Sequence, residues 1–260
     1  MKSMGHDAHG FARLYTLAVA IAVAVFAALL AAALDTGQAG AAPRVAVLGA
    51  AAPATPSCPA TCQAVGKTTG FQTSITGARN PFLVSSKGRI VAWSIKTGAP
   101  STKPNPNNNN QSDLDFFNKT FGGTPKARIS VLKPILKQIK AGHPIYKLKS
   151  QSPVEELSDF LGQTTTFTLD SPLRVKPKNI VALTVPTWAP AFAINQSANT
   201  KWQASRKRGK CNATADILAG TPQEAVGSER TYGCTYNTAR LLYSATVVAD
   251  PNQAPPKKKK

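Results

Sequence analysis

The sequence predicts an all-β protein: an antiparallel β-sandwich of eight or nine strands, jelly-roll in type, preceded by an N-terminal signal helix. Three observations carry this. Short runs between residues 88 and 248 alternate apolar and polar side chains at period 2. Pro and Gly clusters punctuate those runs, and no stretch sustains a 3.6 period. Far upstream, an uncharged apolar run from Leu14 to Leu34 is followed by Ala39-Gly40-Ala41.

That upstream run reads as an export signal over residues 1–41. Lys2 and Arg13 form a thin basic flank, and Ala39 and Ala41 are the small residues a signal peptidase accepts, which places the cut after Ala41. About 20 apolar residues also span a bilayer, so an uncleaved anchor is the alternative. Either way the rest of the chain lies outside the cytoplasm, and it contains no second apolar run of that length. Residues 42–57 are rich in Ala, Pro and Thr and read as a flexible lead. Residues 58–249 form the sandwich, and residues 250–260, ending Pro255-Pro256 and four lysines, form a disordered tail.

Within the sandwich region, Gly88-Arg89 opens a strand through Lys96, closed by Thr97-Gly98, with Val91, Trp93 and Ile95 on one face. Residues 98–126 are a long gap containing Asn107 to Asn110, a loop insertion whose far end Phe116, Phe117 and Phe121 pin to the core. From Ala127 to Leu132, Ile129 and Val131 alternate with Arg128 and Ser130. Val131 to Lys140 has room for a short turn of helix, interrupted by Pro134. Tyr146 to Lys149 alternates again, and Phe167 and Leu169 are in phase within Thr164 to Val175. Asn179 to Val185 is nearly all apolar, as in a strand covered on both faces. Lys201 to Ser205 and Leu241 to Val248 complete the set.

Cysteines outside the cytoplasm pair. Cys58, Cys62, Cys211 and Cys234 allow three connectivities, of which Cys58–Cys62 and Cys211–Cys234 are expected. The first closes a tight turn through Pro59-Ala60-Thr61. Cys-x3-Cys with two distant single cysteines is a poor zinc spacing, so no metal site is expected.

Lys and Arg number 31 against 12 Asp and Glu, a net charge of +19. Processing removes two cations and two anions, so the excess persists. It favours anionic partners, although a solvated cationic surface is the plainer explanation. No nucleic-acid motif accompanies it, and no nucleic-acid partner is expected. A membrane is a partner only through an uncleaved signal segment. No Gly-rich phosphate loop follows a strand, so no cofactor is expected.

No catalytic residue is assigned. His143, in Ala141-Gly142-His143-Pro144, is the sole histidine after the signal, and no Gly-x-Ser-x-Gly elbow exists to partner it. Glu155, Glu156 and Asp159 form the main acidic cluster, but adjacent Glu155 and Glu156 on a strand point to opposite faces. The candidate ligand-binding residues are Trp188, Trp202, Arg206 and Arg208. Trp188 lies between Pro186 and Pro190, and serves either as a platform for a sugar ring or as a plug for the open end of the sandwich. Trp202 is either a strand-core residue or an aromatic presented beside the cations of Arg206, Lys207 and Arg208.

Several stretches carry a resemblance: Cys58 to Cys62, Gly88 to Ser94, Ala127 to Leu132, and Val181-Ala182-Leu183-Thr184-Val185-Pro186-Thr187-Trp188-Ala189-Pro190. In this order they resemble a group of exported proteins of high-GC Gram-positive bacteria with no assigned activity, over about residues 58–248. The resemblance implies a single secreted β-sandwich, similar in outline to carbohydrate-binding modules, and carries over no catalytic residue. The expected function is therefore an exported, non-enzymatic module that binds an anionic or neutral polymer of the cell envelope. The alternatives are a structural or protein-interaction module of the cell surface, and a glycan hydrolase built on the carboxylates.

Overall fold

The computed structural model describes residues 44–106, 109–140 and 144–251. The chain divides into Met1–Ala42 and Pro43–Lys260, and every described residue belongs to the second unit. The signal segment, Asn107-Asn108, His143 and the lysine tail lie outside the described residues.

Seventeen strands and three short helices follow one another among the described residues. The strands are β1 (Val45–Leu48), β2 (Val65–Ile75), β3 (Ala78–Arg79), β4 (Gly88–Lys96), β5 (Pro104–Asn105), β6 (Gln111–Ser112), β7 (Lys126–Pro134), β8 (Ile145–Gln151) and β9 (Glu155–Glu156). They continue with β10 (Thr164–Val175), β11 (Ile180–Ala189), β12 (Phe192–Ala193), β13 (Lys201–Ala204), β14 (Glu229–Thr231), β15 (Cys234–Asn237), β16 (Arg240–Leu241) and β17 (Tyr243–Ala249). The helices are α1 (Asp113–Phe121), α2 (Leu136–Lys140) and α3 (Thr214–Leu218).

Four strands form one sheet in the order β1-β17-β4-β10. Nine form a second, curled sheet along β14-β8-β7-β11-β2-β13-β15, with β3 on β2 and β9 on β7. The pairings within both sheets are antiparallel. A jelly roll arranges eight strands as two Greek keys. The division into four and nine strands, in these orders, is a different connectivity, and most of the additional strands are pairs of residues too short to mark the sequence.

The sheets enclose one apolar core. Ile90, Trp93 and Ile95 of β4 pack with Ala245 and Val247 of β17 against Ile129 and Val131 of β7 and Val181, Leu183 and Val185 of β11. Tyr243 ties the layers together, its hydroxyl donating to the Val181 carbonyl at 3.0 Å and its ring stacked on Phe82 at 4.1 Å. Ile90, rather than Val91, shares the inward face with Trp93 and Ile95. A register shift in β17 between Thr246 and Val247, opposite Ala92 and Ile90, breaks the period of 2.

β11 is buried on both faces, as its apolar run predicts. Its outer face, with that of β7 and β8, packs Phe71, Leu132, Tyr146, Leu148, Ala182 and Tyr232. Ser130, expected to face solvent, is fully buried there. Its hydroxyl bonds Thr184 at 2.7 Å, and Thr184 bonds Thr69 at 3.0 Å, which satisfies all three in a covered layer.

Two segments depart from expectation more strongly. Residues 44–57 are docked rather than loose. Val45–Leu48 pairs with β17, Arg240 donates to the Ala52 carbonyl, and Lys96 donates to that of Ala54 at 2.9 Å. Backbone hydrogen bonds to a free sheet edge hold a segment that has few large apolar side chains of its own. The second is the gap at 98–126, which contains helix α1. The Ser112 side chain caps its start, accepting from the Asp115 N–H at 3.0 Å, and Gly122 ends it at φ 77°. Leu114, Phe117 and Phe121 fall on one helical face, and Phe117 and Phe121 are anchored as expected. Of the stretch Val131 to Lys140, expected to hold a short turn of helix interrupted by Pro134, the part through Pro134 is strand β7 and Leu136–Lys140 is α2.

Both expected disulfides form, with Cα–Cα distances of 3.9 Å for Cys58–Cys62 and 5.4 Å for Cys211–Cys234. They suit an oxidising compartment. Among the described residues no helix is long and apolar enough to cross a membrane.

Candidate functional site

The residues singled out from the sequence do not form an open site: Trp202 and Arg206 meet on Tyr236, and Arg206 reaches Gly66, the cross-strand partner of Trp188, but all three are buried. Trp188 is fully buried within β11, which runs on through Ala189 rather than stopping at Val185. Its ring packs against Phe117 of α1 at 5.0 Å, and its indole N–H donates to Gly123 O at 2.9 Å and to Asn118 Oδ1 at 3.2 Å. It is buried rather than presented as a platform, because α1 closes over the face that a sugar ring would need. Trp202 is also buried, stacked on Tyr236 at 4.5 Å beside the Cys211–Cys234 bridge. Arg206 is 7% exposed, and its guanidinium donates inward to the Tyr236 hydroxyl and to Gly66 O, each at 2.9 Å. Its fork is spent on the protein's own acceptors. Arg208 is exposed.

The acidic cluster is occupied as well. Glu156 accepts from Thr124 at 2.7 Å and Ser158 at 2.8 Å, and pairs with Lys126 at 3.6 Å. Partial burial pushes its carboxyl up, but these hydroxyl hydrogen bonds and the Lys126 charge outweigh that, so it titrates below its ordinary value. A carboxyl held in the ionised form is badly placed to act as the acid of a glycosidase.

A cavity lies elsewhere, along the open side of the sandwich, where the edge strand β10 approaches β7 and β8. Its volume is about 840 Å³. Lys87 and Arg89 reach it from the start of β4, and Lys133 and Lys149 from β7 and β8. Arg174 at the end of β10, with Lys176 and Lys178 from the following turn, completes the lining of cations. All seven are exposed, and none forms an ion pair among the described residues. Asp250 is the single carboxylate in the lining. Leu136, Leu173, Pro134 and Pro172 give the floor an apolar character.

Local chemistry places these groups. Gly88 lets β17 approach closely, since a Cβ there would lie 2.3 Å from Val248 O. The turn from β10 to β11 has Pro177 and Lys178 at its centre, closed by Asn179 N–H to Lys176 O at 3.0 Å. The Asn179 side chain accepts from the Lys176 N–H at 2.8 Å and locks the turn. In a turn with Pro at its second position and positive φ at its third, the third residue is normally Gly or Asn. Here Lys178 takes that position at φ 72°.

Sequence reasoning missed this cleft. Its signals were local, in Lys87-Gly88-Arg89 and in Arg174-Val175-Lys176-Pro177-Lys178, where every second residue is a cation. Comparison of the chain with protein families, with curated proteins and with solved structures returns no match.

Proposed function

We propose that this is an exported, non-enzymatic sandwich module that binds an anionic polymer of the cell envelope in the cationic cleft. One observation carries the reading. Seven exposed cations surround one cavity, and among the described residues none of them has an ion pair. Seven cations set against the one carboxylate of Asp250 repel one another and raise the local concentration of anions. Export, the signal peptide and the likeness to exported Gram-positive proteins belong to this proposal, and the two disulfides support it. A neutral glycan loses its support because Trp188 and Trp202 are buried.

The test is co-sedimentation of the chain with purified anionic wall polymers across a salt series. Binding should be strong at low salt and fall steeply as the ions screen the cleft over about 8–10 Å. A Lys133→Glu, Lys149→Glu variant should lose about tenfold or more in affinity at fixed salt, because two attractive charges become repulsive. Equal binding by this variant, or no binding at low salt, would sink the proposal.

A further inference from the structure

Arg89 and Arg174 are direct partners across the β4–β10 ladder. Residues so placed have Cα atoms about 4.5–5.5 Å apart and side chains on the same face. Like charges directly opposite destabilise a sheet, so this pair needs a reason. A lysine pair on the neighbouring sheet, of which only Lys133 lines the cleft, gives a contrast. Lys133 stands opposite Lys147, but Lys147 has Glu229 opposite on its other side. Arg89 has Val248 on its other side, and Arg174 is on the sheet edge. Asp250 lines the same cavity, but among the described residues no carboxylate forms an ion pair with either guanidinium group.

The turn beyond them shows a second cost. Lys178 occupies the left-handed region, where a side chain is disfavoured, two residues from Lys176 and four from Arg174. Glycine would relax that backbone and remove the charge. At two independent places on one rim, the chain therefore keeps a cation where local stability argues against it. Such strain persists where a site needs it.

We propose that Arg89 and Arg174, supported by Lys176 and Lys178, form a clamp for a tetrahedral oxyanion, so that the polymer bound in the cleft carries phosphate or sulfate esters rather than carboxylates. This rests on the anionic-polymer reading above and narrows it. A guanidinium is a rigid planar fork, and two forks rising from adjacent strands approach one anion from two sides. A tetrahedral group offers oxygens outside any single plane and satisfies both forks. A carboxylate has all its acceptor lone pairs in one plane, so one side-on fork takes that plane and a second fork crossing it is poorly aligned. The lysines add point charge without demanding a plane.

The test uses three polymers at matched charge and salt: poly(glycerol phosphate), dextran sulfate and polygalacturonate. The wild-type chain should bind at least one of the first two about tenfold more tightly than polygalacturonate, and the corresponding inorganic phosphate or sulfate should compete. Comparison of the first two distinguishes the phosphate ester from the sulfate ester. An Arg89→Lys, Arg174→Lys variant keeps every charge and loses both forks. It should bind all three polymers alike, at about the wild-type affinity for polygalacturonate. Equal binding of all three by the wild-type chain would overturn the clamp and leave the cleft intact, as would a preference that survives in the double lysine variant. Failure of the wild-type chain to bind any of the three would overturn both proposals.

Discussion

At residue 178 the physics of one backbone angle has consequences for binding and for stability. A side chain in the left-handed region costs roughly 1–2 kcal/mol, and a glycine replacement returns part of that through its freer unfolded chain. Lys178→Gly should therefore raise folding stability by on the order of 0.5–1 kcal/mol, read from the urea midpoint, while weakening polymer binding at low salt. A variant that binds as well as wild type would show that the charge at this position is idle. Trp188 is the opposite case. Its proline-flanked sequence context fits an exposed platform and a buried plug equally well, and only the helix laid over it decides between them.

Among the elements, the segment around Gln223 shows how a polar residue holds a layer in place. Gln223 is 1% exposed, and its amide donates to Tyr146 O at 3.1 Å and Ser228 O at 2.8 Å. Its carbonyl oxygen accepts from the Tyr232 hydroxyl at 2.9 Å, and its backbone N–H donates to the Thr69 hydroxyl at 2.9 Å. Removing the side-chain amide strands several buried partners, each worth about 1–3 kcal/mol when left unsatisfied. Gln223→Leu should cost roughly 2–4 kcal/mol in chemical denaturation, and a loss below about 1 kcal/mol would mean that the layer re-forms around it. Gln223 is not among the residues that line the cleft, and polymer binding by the folded variant should persist.

For the molecule as a whole, the buried tyrosines set a limit at alkaline pH. Burial pushes Tyr146 up to about 12 from an ordinary value near 10. It pushes Tyr232 and Tyr243 well above their ordinary value too, with the Arg230 charge partly opposing this at Tyr232. The unfolded chain gives up these protons near pH 10, while the folded chain holds them to higher pH. Tyrosine burial therefore leaves stability untouched below about pH 10 and erodes it from there through pH 12 and above. Tyrosinate absorbance should consequently rise together with loss of near-ultraviolet circular dichroism, in one cooperative step. Tyrosinate forming well before unfolding would contradict the burial of these rings.

The sequence alone determined the β class, the two disulfides and the fully buried character of Val181 to Val185, because each rests on residue type at short spacing. It also held a readable helix start at Ser112, with Asp115 three residues on and Gly122 as a stop, which a reading of the Asn-rich stretch as plain loop passed over. The tertiary structure decided the rest. A bulge moved Ile90 inward in place of Val91, and the layer around Gln223 turned Ser130 from a surface residue into a buried one. The cleft depended on it most. Arg89, Lys133, Lys149 and Arg174 come from four strands, and only the edge of one sheet meeting the face of the other brings them around one cavity. Charge is a property of the residue, whereas a site depends on which strands become neighbours, and that is set by long-range pairing.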